Sequence, residues 1–156
     1  IVALALSNLA LEPTALMRRP RRGSALAVRR RAEESMSIMS AAERAAQIWA
    51  VLALAARNRQ ILTYEIVGKL IGVPARGLGH LLEPIQSYCL LKGLPPLTIL
   101  VVQETSGLPG SGFSAASAEQ YAKKQLEVFG VDWLAQGAPT PEELGNAAKE
   151  LPSRGA

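Results

Sequence analysis

Apolar residues recur at helical spacing over 40–57, where Ala45, Ile48, Trp49, Leu52 and Ala55 or Ala56 fall on one face. Ser40 followed three residues later by Glu43 has the form of a capping box, so the pattern predicts a helix that starts there and ends at Arg57, Asn58 and Arg59. A second helix is predicted over 63–72, capped by Thr63, with Ile66, Val67, Leu70 and Ile71 turned inward and Gly72 as its stop. Val73-Pro74 then makes a short turn, since proline cannot extend one helix but fits the start of the next. The third helix is predicted over 75–91, closed by Gly93, with Lys92 near the negative end of its dipole. Pro84 inside it predicts a kink or a break into two short helices.

After that the period changes. Pro95 and Pro96 exclude helix, and the run Leu97-Thr98-Ile99-Leu100-Val101-Val102 suits a short buried strand. The glycine- and serine-rich stretch 103–110 reads as a connection and Gly112-Phe113 as the return strand of a small wing. A further amphipathic helix is predicted from about Ala118, with Tyr121, Leu126, Val128 and Phe129 in the core. Thr140-Pro141-Glu142-Glu143 has the composition of a first turn and predicts a short helix in the tail. The expected fold is mainly α: a winged helix-turn-helix with a small β-hairpin wing and flanking helices. It divides into an N-terminal extension over 1–38, disordered or not native, a winged-helix domain over 39–135, and a C-terminal tail over 136–156.

Charge sharpens the picture by its location. The chain of 156 residues carries a net +4, all of it supplied by residues 1–35, where seven arginines stand against three glutamates. The segment 41–113 is mildly basic at +2 and 114–156 acidic at −2. Phosphate neutralisation by the folded part is therefore modest, and overall basicity is no argument for DNA binding. The apolar stretch 1–11 is too short to span a bilayer, and the arginines follow it where a secretory signal would have them first. Cys89 and His80 are the only cysteine and histidine, which excludes an intrachain disulfide and leaves no economical zinc ligand set. A reducing, cytoplasmic compartment, no membrane partner, no metal and no cofactor are expected.

The motifs are Thr63-Tyr64 opening a helix, Arg76-Gly77-Leu78-Gly79 opening the next, Pro95-Pro96-Leu97, Gly110-Ser111-Gly112-Phe113, and a final helix bearing Lys123 and Lys124. Together they resemble the C-terminal domain of the alkylguanine-DNA alkyltransferases and their alkyltransferase-like relatives over about 60–131, and the spacing from Tyr64 to Arg76 agrees with that family without a gap. The resemblance implies that Arg76 enters the minor groove in place of an extruded nucleotide, with Tyr64 crowding the backbone beside it. Tyr64, Arg76, Gly77, Gly79, His80 and Ser111 are the DNA-binding candidates. For Arg76, Tyr64 and His80 an ordinary structural role stands beside the functional one: a solvent-facing arginine, a packed tyrosine and a surface histidine.

The departure from the family is equally definite. Its reactive Pro-Cys-His-Arg centre falls against 97–102, which holds no cysteine, histidine or arginine, nor the tryptophan of the alkyltransferase-like group. No alkyl transfer is expected. Cys89, in the apolar sequence Ser-Tyr-Cys-Leu-Leu, reads as a buried inert thiol. The Gly-Leu-Pro-Gly-Ser-Gly stretch lacks the Gly-Lys-Ser/Thr ending of a phosphate loop and reads better as a wing turn. Glu83-Pro84-Ile85, Gln86 and Tyr88 extend the third helix beyond the family length, and Glu83 would repel phosphate. The expected function is a non-catalytic module that binds duplex DNA; the alternative is a protein-interaction or scaffold module, or homodimer, that keeps the fold without DNA affinity. An enzyme acting on a small molecule ranks third, because the acidic residues show no pairing.

Overall fold

The computed structural model describes residues 39–152 and, ahead of them, Leu26, Ala27 and Arg30; the reading of 1–38 as an extension falls almost wholly outside the described residues. Residues 39–152 are mainly helical, with five α-helices. The first, α1 (Ala41–Arg57), begins as its sequence predicts: Ser40 Oγ accepts from Glu43 N at 3.2 Å while Ser40 N donates to Glu43 Oε2 at 2.7 Å. It is the central element, packed against every other α-helix. Ala45, Ile48, Trp49, Leu52, Ala55 and Ala56 are buried as expected, and the alanines let neighbouring helices approach closely.

Next come β1 (Leu62–Thr63) and α2 (Tyr64–Ile71). Thr63 both ends the strand and caps the helix, its Oγ1 accepting from Ile66 N at 3.2 Å. The buried face of α2 is narrower than its apolar content predicts. Val67, Gly68 and Ile71 are inside, whereas Ile66 and Leu70 are 44 % and 63 % exposed. Gly68 decides this rotation, because a Cβ there would stand 2.5 Å from the Val73 carbonyl oxygen, so the turn can fold back only over a glycine. After Val73-Pro74 a single 3-10 turn, Ala75–Gly77, leads into α3 (Gly79–Leu91). This helix is continuous through Pro84, so the predicted break into two helices does not occur. Pro84 lies inside with Leu81, Leu82 and Ile85 around it, and tertiary packing holds the helix where one backbone bond is missing.

The greatest difference lies in the wing. Leu97–Leu100 is a buried 3-10 turn, and only Val101–Val102 is strand, β2. It pairs with β1 in parallel, Leu62 opposite Val101 and Thr63 opposite Val102, across the connection that contains α2 and α3. Among the described residues Gly112-Phe113 forms no return strand, so the β-hairpin wing is replaced by a loop. That loop closes on itself through Gln103 N to Leu108 O and Gly107 N to Gln103 O, both 2.8 Å. An unbroken apolar run does not distinguish a buried strand from another buried conformation, which is why 97–102 misleads.

The chain continues through a 3-10 turn, Ala118–Gln120, into α4 (Tyr121–Gly130) and then α5 (Pro141–Glu150). In α4 Val128 is buried and Tyr121 and Phe129 are half-buried against the core, but Leu126 points out at 67 % exposure. The tail helix is present with a complete Thr140–Glu143 capping box, and it packs on α3 and α1 through Leu144 and Ala147. Ser87 Oγ donates to Leu151 O at 2.6 Å and fastens its far end. Trp133, not singled out by its sequence context, completes the core: its ring meets Trp49 edge-on at 5.6 Å and its indole N–H donates to Val128 O at 2.8 Å.

Candidate functional site

The end of the molecule where α2 begins, the 3-10 turn enters α3 and the loop 103–113 returns encloses a cavity of about 500 Å³. Tyr64 reaches it as the first residue of α2. Its hydroxyl accepts from Gly110 N at 3.2 Å, which joins the loop to the helix. A Cβ at position 110 would come 2.6 Å from that hydroxyl oxygen, so any other residue there would push the tip of Tyr64 aside and disturb the bond. Burial raises the Tyr64 pKa, partly offset by the Gly110 bond, so the phenol stays protonated and keeps its own O–H to donate.

Of the six DNA-binding candidates, Tyr64, Arg76, Gly79 and Ser111 line this one cavity. Arg76 is exposed on the 3-10 turn. Gly77 and His80 stand outside the lining, Gly77 half-buried against Val73 and His80 exposed in the first turn of α3. Residues far apart in the chain are thus gathered by local devices: the Thr63 cap, the Gly68 contact and the Tyr64–Gly110 bond.

Beneath this rim lie residues that were not expected at a site. Thr98, from the run read as a strand, lines the cavity, is 4 % exposed, and its hydroxyl has no hydrogen-bond partner. Gln86, 5 % exposed, lines it as well and is held by Nε2 donating to Ser114 Oγ at 3.1 Å. The signal available for Thr98 was its place as the one polar residue in the apolar run 97–102; Gln86, flanked by Ser87 and close to Glu83, carried no such signal. Phe113 forms a half-buried aromatic wall, braced edge-on by Tyr121 at 5.7 Å. Glu65, Glu83 and Glu104 line the cavity together with Arg76, a formal charge of −2.

Compared with protein-family models, curated proteins and solved structures, the chain gives no significant match. The likeness to the alkyltransferase domain rests on its motif residues alone.

The geometry also locates the groups that are not at the site. Cys89 is 1 % exposed in α3, and burial pushes its thiol up to about 11 against a lowering hydrogen bond from Leu97. It borders a smaller cavity of about 190 Å³, away from Tyr64 and Arg76. The neighbouring Lys124 is paired with Glu127 at 2.7 Å. Among the described residues no group of three or more His, Cys, Asp and Glu side chains is placed to hold a metal ion, and no helix is long and apolar enough to cross a membrane.

Proposed function

We propose that this chain is a non-catalytic DNA-binding module whose working face is the rim of the α2–α3 cavity. The supporting observation is the convergence of Tyr64, Arg76, Gly79 and Ser111 at one opening, with His80 exposed one helical turn from Arg76. The helix-turn-helix reading of α2 and α3 supplies the framework, and the loop 103–113 takes the place of a wing. Arg76 is the principal cation of this face. Ser111 and backbone amides of the loop add neutral phosphate contacts, which position a duplex without reading its sequence. Glu65, Glu83 and Glu104 limit close approach of further phosphates, so the salt dependence contributed by this face is shallow.

Fluorescence anisotropy of the full chain with a labelled duplex, across a salt series, tests this reading. Arg76→Ala is expected to weaken binding about tenfold and to lower the salt slope by about one. Unchanged affinity in Arg76→Ala, as would follow if the arginine-rich 1–35 segment alone held the DNA, overturns it.

A second reading, a protein-interaction module, is favoured by the outward pair Ile66 and Leu70, one turn apart on α2 and both exposed. Concentration-dependent dimerisation abolished by Leu70→Glu, with no DNA affinity, is the outcome it requires.

A further inference from the structure

The outward face of α2 carries two stripes side by side, and their order selects a partner. At about 100° per residue around the helix, Glu65 and Lys69 stand on one side of that face and Ile66 and Leu70 on the other, the members of each pair one turn apart. All four residues are exposed. Glu65 and Lys69 form no ion pair with each other or with another described residue. An occupant of this face has to bring apolar side chains to one stripe and both signs of charge, in the right order, to the other.

A second copy of α2 meets these conditions in one arrangement. Two helices related by a two-fold axis that lies in the plane of contact and crosses them at right angles run antiparallel, and each stripe then meets its own counterpart. The reversal of direction exchanges the two ends of a stripe. Ile66 of one copy therefore faces Leu70 of the other, and Glu65 faces Lys69, each contact occurring twice. A parallel pair, with the axis along the helices, would lay the apolar stripe of each copy on the charged stripe of the other. The face is thus complementary to itself in one direction only.

We propose that the chain associates with a second copy of itself through an antiparallel contact of α2 with α2, in which Ile66 and Leu70 form the apolar centre and two Glu65–Lys69 pairs the charged edge. This rests on the protein-interaction reading and gives it a partner and a direction. With eight residues α2 is about 12 Å long, so the contact is small and the dimer weak, dissociating on the order of 100 µM. The axis returns each flank to its own side, so the cavities that Glu65 lines lie on the same side of the dimer.

Sedimentation of the full chain at low salt, at concentrations up to about 1 mM, tests this. The parent chain is expected to associate reversibly. Glu65→Lys places lysine opposite lysine at both contacts and Lys69→Glu places glutamate opposite glutamate, so each should weaken self-association about tenfold. Mixed in equal amounts, the two variants should associate at least as well as the parent, since each then meets its opposite charge at both contacts. That rescue is one that two misfolded variants would not give. No self-association of the parent, or a mixture that associates no better than its components, would overturn the proposal. Association lost in Leu70→Glu but unchanged in both charge variants would also overturn it, while leaving the protein-interaction reading standing. Arg76→Ala should associate as the parent does, so failure of the DNA reading leaves the dimer untouched.

Discussion

Arg59 closes α1 in the left-handed region, at φ 54, the only described non-glycine residue with a positive φ. Its amide donates to Ala56 O at 3.1 Å and that of Gln60 to Ala55 O at 2.8 Å, so the helix end is satisfied at the expense of backbone strain. Arg59→Gly is therefore expected to stabilise the protein by about 1 kcal/mol, read as a higher midpoint in urea unfolding. Cys89 makes the opposite kind of prediction. Its thiol should not react with a disulfide reagent in the native protein at pH 8 and should react fully once unfolded. The folded value of about 11 lies above the ordinary 9.0, so the stability this thiol contributes is intact below pH 9 and lost as pH rises towards 11. The burial of Cys89 was legible from its apolar neighbours. The unpartnered burial of Thr98 was not, because it is visible only once the surrounding chain has folded over that hydroxyl.

At the scale of elements, local signals gave the helices and tertiary contacts gave the rest. The capping boxes at Ser40 and Thr140 and the Thr63 cap are short-range chemistry, written within four residues, and each forms. The inward face of α2 and the conformation of 97–102 depend on partners far along the chain: Val73 folding over Gly68, and Leu62–Thr63 taking the edge that a hairpin wing would have used. The same holds for α5, whose start was legible but whose docking was not. Leu144 is fully buried against the helical core, so Leu144→Ala should cost about 2–5 kcal/mol. Thr140→Ala, which removes only the cap, should cost about 1 kcal/mol. Chemical denaturation of the two variants measures that contrast, and comparable losses would mean that α5 is held by its own helicity instead of by its seat on α1 and α3.

For the whole molecule, the net positive charge lies in 1–35 while the cavity lining is acidic, so the basic residues and the cavity belong to different parts of the chain. Acid sensitivity follows from the helix starts. The backbone N–H of Ser40 holds the Glu43 carboxyl below its usual range, and that of Thr140 does the same for Glu143. Depressed folded values mean that these contributions are present above the unfolded carboxylate value of 4.5 and are lost as pH falls through the lower folded ones. The thermal midpoint should accordingly fall below pH 4.5, and Glu43→Gln with Glu143→Gln should flatten that fall. The central claim is that the cavity rim is where DNA is held, and amide chemical-shift mapping of the full chain during titration with duplex DNA addresses it most directly. The amides of Gly79, His80, Ser111 and Gly112 should shift together while those of Leu144 and Ala147 in α5 stay still; a rim that remains unmoved as DNA saturates the chain would contradict it.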